Sequence, residues 1–450
     1  MQDLTTGSVT RHILKTTGFM LVTMMFQTLY FLVDLYWVGR LGKEAVAAVS
    51  VAGNLTFIVL AATQMLSVGT TTLVSHAVGR KDRERAIFAA NQSQSLSIAC
   101  GIAFYIVAAA LRTTYANGLG ADPLTRVLAA DYLLWFIPAM ALQFPMVSMS
   151  AALRATGNFK PGMIVQTSTV VINIVLAPLL IFGVGTGHPL GVGGAALATF
   201  IALIVGTLWL ALYFRGTDNY LHFRPADWRP HMAEWGRMMK VGLPAGAEFA
   251  LMSVYLLIVY TVSRPFGSAA QAGFGIGLRI VQACFLPVVA LGISVAPVAG
   301  QNYGAHKGER VRQAFASGAL MATTLMLALG ALCHFASAAM IRVFSDDPAV
   351  IAVGSDYLRI SAWNFIASGV IFVASSMFQA MGNTIPPLVT SFGRIALVSV
   401  PVVILSRMPG FDLRWIWYLA AASVWVHMIG NLLLLRREFR LRLEPSPQPA

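Results

Sequence analysis

Apolar runs of about 20 residues or more recur along almost the whole chain, separated by short polar segments in which glycine, proline and charge gather. About 20 apolar residues of helix span a bilayer's hydrocarbon core. The pattern predicts twelve membrane spans. Six lie near 13–38, 46–74, 87–110, 127–150, 162–183 and 191–214. Six more lie near 240–263, 270–299, 314–336, 356–380, 387–406 and 415–435. The longest separator, Arg215 to Arg237, contains Pro225, Pro230 and several charges, which marks it as a linker. The expected organisation is a six-helix lobe over 1–214, a cytoplasmic linker over 215–239, a second six-helix lobe over 240–435 and a cytoplasmic tail over 436–450.

The two lobes are related in sequence. At an offset of 225 residues, Tyr30 falls on Tyr255, Gly42 on Gly267, Gly79, Glu84 and Arg85 on Gly304, Glu309 and Arg310, and Asp131-Tyr132-Leu133 on Asp356-Tyr357-Leu358. Gly157-Asn158 and Pro161 fall on Gly382-Asn383 and Pro386. Polar and turn residues matching at one offset indicate duplication. An even number of spans per repeat gives both copies the same orientation, so the fold class is an all-α membrane protein with two parallel six-helix repeats. Two such bundles facing each other leave a central cleft that can open to either side, which is a transporter's plan. The repeats also differ. Asp34 falls on Val259, Asn173 on Val398 and Asn54 on Arg279, so a site built on Asp34 belongs to the first half alone.

Composition sharpens this picture. Charged residues make up 11% of the chain and hydrophobic ones 57%, against roughly 25% charged in soluble proteins. The net charge of +13 needs no nucleic acid to explain it. With the N-terminus inside, the inner loops and tails hold about 20 of the 31 Lys and Arg residues, as the positive-inside rule requires. This predicts a multi-pass protein of the inner (plasma) membrane with both termini cytoplasmic. The arginines at 436–442 read as a contact with anionic membrane lipid. Cys100, Cys284 and Cys333 lie in apolar runs, with neither metal-ligand spacing nor a disulfide framework. No signal-peptide cleavage site is evident. Gly183-Val184-Gly185-Thr186-Gly187 stops short of a dinucleotide loop because His188 follows, and no Walker A sequence occurs. No cofactor, metal site or catalytic constellation is expected.

Several short motifs stand out, namely Leu32-Val33-Asp34 with Val38-Gly39-Arg40-Leu41-Gly42, Gly79-Arg80-Lys81-Asp82, Leu153-Arg154-Ala155-Thr156-Gly157-Asn158, Gly300-Gln301-Asn302-Tyr303-Gly304-Ala305 and Phe378-Gln379-Ala380-Met381-Gly382-Asn383. They resemble motifs of multidrug and toxic compound extrusion (MATE) transporters. The resemblance covers nearly the whole chain in consistent order. It implies a V-shaped pair of six-helix lobes that exports amphipathic, often cationic compounds, driven by inward H+ or Na+. Three departures stand out. Ala177 replaces the Asp that often precedes Pro178, the acids of the sodium-dependent branch are missing from the seventh and tenth spans, and Gly18-Phe19-Met20 lacks the proline at which some members bend. H+ is therefore expected in preference to Na+.

Among single residues, Asp34 carries the coupling expectation. A carboxylate at membrane depth costs roughly 2.5–3.5 kcal/mol unless it faces a cavity or partner, and one poised between desolvation and hydrogen-bond donors can take up a proton on one side and lose it on the other. The resemblance adds Tyr132, Asn173 and Thr199 as neighbours. From the sequence alone each of these reads better as ordinary packing between helices. Glu248, Tyr255, Arg279, Met24 and Tyr30 are candidates for the cavity, since adaptable methionine and aromatic surfaces suit promiscuous binding. Arg279 is a candidate partner for Glu248, and Arg394 reads as a side chain that reaches the inner surface. Two other functions compete. A flippase for a lipid-linked saccharide would need a larger, more cationic cleft, hinted at only by Arg279 and Arg394. A membrane-embedded enzyme would need paired His or acidic residues within the spans, which the sequence does not show.

Overall fold

The computed structural model describes residues 2–119, 122–185, 187–216 and 219–444; the last six residues of the expected tail and two of the expected linker lie outside these. The described residues form fourteen α-helices. In the first half these are α1 (Val9–Gly39), α2 (Lys43–Gly79), α3 (Arg83–Leu119), α4 (Pro123–Ala155), α5 (Lys160–Phe182) and α6 (Gly191–Arg215). In the second they are α7 (Met232–Ser263), α8 (Ser268–Gly304), α9 (Gly308–Phe335), α10 (Ser337–Arg342), α11 (Pro348–Ala362), α12 (Phe365–Ala380), α13 (Ile385–Leu405) and α14 (Leu413–Leu443). Eleven of them are long and apolar enough to cross a membrane. The pair α11–α12, bent by 54°, supplies a twelfth span. Most helices outrun the apolar run that predicted them, because polar residues at the membrane surface continue the helix.

The repeat is legible in the local geometry. α8 begins and ends 225 residues after α2. Asp122 caps α4 by accepting from the Thr125 amide at 2.9 Å, ahead of Pro123 at the first helical position. Asp347 caps α11 in the same way through the Ala349 amide at 2.8 Å, ahead of Pro348. Asp122 lies outside the spans, and the Thr125 amide and hydroxyl hold its carboxyl below the usual range. α2 and α8 end in matching Schellman turns. The amides of Asp82 and Lys307 reach back to Ala77 and Asn302, with Lys81 and His306 at φ 59° and 57°. α4 and α12 end likewise with Gly157 and Gly382 at φ 76° and 74°, a conformation that glycine adopts without the Cβ penalty. The MATE-like motifs 79–82, 153–158 and 378–383 are thus helix-ending turns.

By contacts the chain falls into two compact units. Unit 1 contains Gly18–Gly246 with the first residues of the chain, and unit 2 contains Leu4–Thr17 with the described chain from Ala247 onward. α1 therefore starts in unit 2 and continues in unit 1, while α7 does the reverse. In unit 2, Leu4 to Gly7 are held by the 300–310 turn. The Leu4 amide donates to Gln301 Oε1 at 3.0 Å, Asn302 Nδ2 to the Leu4 carbonyl at 3.1 Å, Lys307 to Thr5 O at 2.8 Å and Arg310 to Gly7 O at 2.9 Å. Unit 1 packs small and aliphatic side chains from α2, α4, α5 and α6, among them Ala48, Leu133, Ile137 and Ile181. Unit 2 is centred on aromatics. Phe274 stacks on Trp417 at 5.0 Å, and Tyr357 sets its edge against both. Exposed Phe31, Leu32, Ile106, Leu212, Leu257 and Val400 form apolar surface of the kind that meets lipid.

Candidate functional site

The first-half candidates converge within unit 1. α1 carries Tyr30 and Asp34 one turn apart, α4 carries Tyr132, α5 Asn173 and α6 Thr199. Thr199 lies at the centre. Its hydroxyl donates to the Ala195 carbonyl at 3.2 Å, one turn back on α6, so its oxygen is left to accept. Asn173 Nδ2 donates to it at 3.1 Å, and the Tyr30 hydroxyl lies 3.0 Å away and supplies the second donor. Asp34 is 8% exposed. Tyr30 and Tyr132 both lie within its electrostatic reach, and within each other's. Tyr132 is buried and packs against Phe136 at 5.0 Å between ring centres.

Two acceptors in this cluster are unsatisfied, since Asp34 Oδ1 and Asn173 Oδ1 are both buried without a hydrogen-bond partner. A buried acceptor without a donor costs about 1–3 kcal/mol. Asn173 Nδ2 donates to Thr199 and not to Asp34 Oδ1. Met24 lies nearly three turns before Asp34, half-buried, and its carbonyl accepts from Thr28. Beyond Asp34, Arg40 folds back over the rings of Tyr36 and Trp37 at 4.7 and 5.5 Å.

The second-half candidates separate. Arg279 is exposed and makes no ion pair with Glu248. The cation that acts on Glu248 is Arg394. Its guanidinium lies 5.5 Å over the Tyr255 ring, with Met252 Sδ at 4.0 Å. Glu248 accepts from Ser391 at 2.8 Å. Ser391 lies 3.5 Å from His427 Nε2, and Asn431 Nδ2 lies 3.4 Å from the same nitrogen. Sequence reasoning missed His427 and Ser391. One histidine among eight, placed in an apolar span, carries no signal until its neighbours on other helices are known. Cys284 and Cys333 approach to 3.7 Å but are free thiols. Among the described residues, no group of three His, Cys, Asp or Glu could hold a metal ion.

The MatE family model matches residues 20–179 and 244–405, one match in each repeat. The chain belongs to the MatE family. This MatE protein is 27% identical over 412 residues to the probable multidrug resistance protein YoeA of Bacillus subtilis, covering 90% of the chain and 89% of the relative. It is 25% identical over 435 residues to the multidrug export protein MepA of Staphylococcus aureus, covering 95% and 94%. Its fold matches that of a MOP-superfamily transporter from Pyrococcus furiosus, with a TM-score of 0.91 at 24% identity over 98% of both chains. It matches an outward-facing multidrug resistance MATE family transporter equally well, with a TM-score of 0.91 at 24% identity over 99% and 98%. The MatE chain is accordingly a multi-pass membrane transporter and not an enzyme.

Proposed function

We propose that this transporter exports amphipathic, often cationic compounds across the plasma membrane in exchange for protons, and that Asp34 carries the coupling proton. The observation that carries the reading is the buried Asp34 cluster. It holds an unsatisfied carboxylate oxygen, a second unsatisfied acceptor on Asn173, and a Tyr30–Thr199–Asn173 chain that fixes the surrounding donors. A proton on Asp34 removes its charge and makes it a donor. A cationic compound is better held by the charged form, so each releases the other, as exchange requires. The export of drugs is supported by the names of the relatives, YoeA and MepA. Proton rather than sodium coupling is supported by the carboxylates that the second half lacks. Cytoplasmic termini follow from the distribution of Lys and Arg. Residues 1–214 and 240–435 would then act as the two lobes, with 215–239 and 436–450 at the cytoplasmic surface.

The deciding experiment uses everted membrane vesicles containing the protein, with ethidium as the transported dye. Imposing a pH gradient should drive ethidium accumulation, and collapsing it should abolish the signal. Accumulation that survives the collapse and follows an imposed Na+ gradient would overturn the proton reading.

A further inference from the structure

The spans of unit 2 contain a second ionisable cluster, on the repeat equivalents of three helices that build the Asp34 site. Asp34, Asn173 and Thr199 lie on α1, α5 and α6. Glu248, Ser391 and His427 lie on α7, α13 and α14. The two clusters do not occupy equivalent positions. In the first repeat Glu248, Ser391 and His427 correspond to Thr23, Gln166 and Ala202, and in the second Asp34, Asn173 and Thr199 correspond to Val259, Val398 and Val424. Each repeat keeps one ionisable cluster where the other has none.

Depth also differs. Thr23 lies eleven residues before Asp34, roughly 16 Å along a helix. Gln166 precedes Asn173, and Ala202 follows Thr199 on a helix running the other way. All three displacements point to the end of the repeat from which α1 and α7 start.

We propose that Glu248, Ser391 and His427 form a second proton-holding station, in which one proton is shared between carboxylate and imidazole across the Ser391 hydroxyl. Ser391 Oγ is 2.8 Å from Glu248 Oε1 and 3.5 Å from His427 Nε2, so the hydroxyl bridges the two groups. In the transfer the His427 Nε2–H bond breaks as a new Ser391 O–H bond forms, and the original hydroxyl proton moves to Glu248 Oε1. Imidazolium and carboxylate become imidazole and carboxylic acid, and the net charge is unchanged. Thr390 donates to Asn431 Oδ1 at 2.7 Å, which turns Asn431 Nδ2 toward Nε2 and leaves it to donate when the ring is neutral. His427 is 6% exposed, and its Nδ1 is buried without a partner. No carbonyl or carboxylate locks the hydrogen at Nδ1, so Nε2 is free to gain and lose a proton.

The charged and titratable groups facing the station are Glu248 and Tyr255 from α7 and Arg394 from α13. The ion pairs that α11 and α9 make with α14, Asp356–Arg414 and Arg312–Glu444, lie near the two ends of α14. Arg394 sets the capacity. With Glu248 charged and the ring neutral, carboxylate and guanidinium balance. A protonated acid beside an imidazolium would place two uncompensated cations together, which like-charge repulsion disfavours. The station holds one proton.

The test needs no transported compound, so it is separate from the drug-export reading. The full-length protein in lipid nanodiscs is titrated while the Glu248 carboxylic-acid infrared band, identified by its loss in Glu248→Gln, and the His427 ring nitrogen resonances are followed. The two should share one midpoint. In Ser391→Ala they should separate by about one pH unit or more, since groups coupled by that much titrate as a pair. Ser391→Thr, which keeps a hydroxyl, should restore the single midpoint. The Asp34 band, lost in Asp34→Asn, should not move in these variants. Separate midpoints in the parent protein, or a Glu248 midpoint untouched by both Ser391→Ala and His427→Gln, would overturn the proposal.

Discussion

Thr199 shows how one hydroxyl can organise a site built from three helices. It donates to Ala195 within its own helix and accepts from Tyr30 and Asn173. Thr199→Val keeps the shape but strands two buried donors, at about 1–3 kcal/mol each. The variant should melt measurably lower in detergent, and an unchanged melting temperature would remove Thr199 from this role. Asp34→Asn should leave expression and melting intact and abolish gradient-driven ethidium transport, because the amide imitates the protonated acid. Asp34→Ala should do the same. Normal transport in the Asn variant would move coupling elsewhere. Lys81 and His306 are the non-glycine residues with positive φ among those described, and the left-handed region costs a side chain roughly 1–2 kcal/mol. Lys81→Gly and His306→Gly should each stabilise by about 0.5–1 kcal/mol, the gain being reduced by glycine's backbone entropy. A fall in melting temperature would contradict this. At this scale Asp34 was legible because a carboxylate interrupts an apolar run and matches a motif. His427 was not, because it acquires meaning only from Ser391 and Asn431.

Helices test how far composition predicts geometry. The tenth span reads in sequence as one element over 356–380, yet the chain breaks between α11 and α12 at Trp363 and Asn364 and bends by 54°. No proline marks the break. Its repeat partner α4 has Pro138 opposite Trp363 and Pro145 about two turns later, and runs unbroken. Proline therefore misplaces the discontinuity here. The break leaves the Asn364 side-chain oxygen buried and unpartnered. Amides flanking Trp363 should exchange with deuterium faster than those following Pro138. Equal protection would mean that the bend closes in solution. Close packing makes a sharper prediction between α5 and α6. A Cβ at Gly206 would fall 2.3 Å from Thr169 Cγ2, an overlap of the kind that costs about 1–3 kcal/mol. Gly206→Ala should destabilise by that amount. Thr169→Ser, which removes the methyl and keeps the hydroxyl that bonds Gln166 O, should restore most of it. Absence of rescue would place the strain elsewhere.

The whole molecule is the scale at which the sequence was most informative. Twelve spans and a duplication at one offset were readable because membrane helices must be apolar along about 20 residues, and because turn residues survive where packing residues drift. The exchange of helix starts between units was not readable, since nothing in an apolar run says which neighbours it meets. Residues 4–17 pack in unit 2, and their repeat equivalents, 229–242, pack in unit 1. The exchange is reciprocal. Fusing two copies of a segment-swapped homodimer leaves this arrangement, since swapping is a low-cost route to dimers. Each half of the present chain thus resembles one member of a pair of six-span polypeptides that exchange their first residues. Cutting the chain between residues 217 and 218 would recreate that pair, with each fragment lacking a segment of its own unit. Expressed alone, neither fragment should yield a monodisperse particle on size exclusion. Expressed together, they should reassemble and transport ethidium; failure to reassemble would make the peptide link between the halves a requirement of the machine.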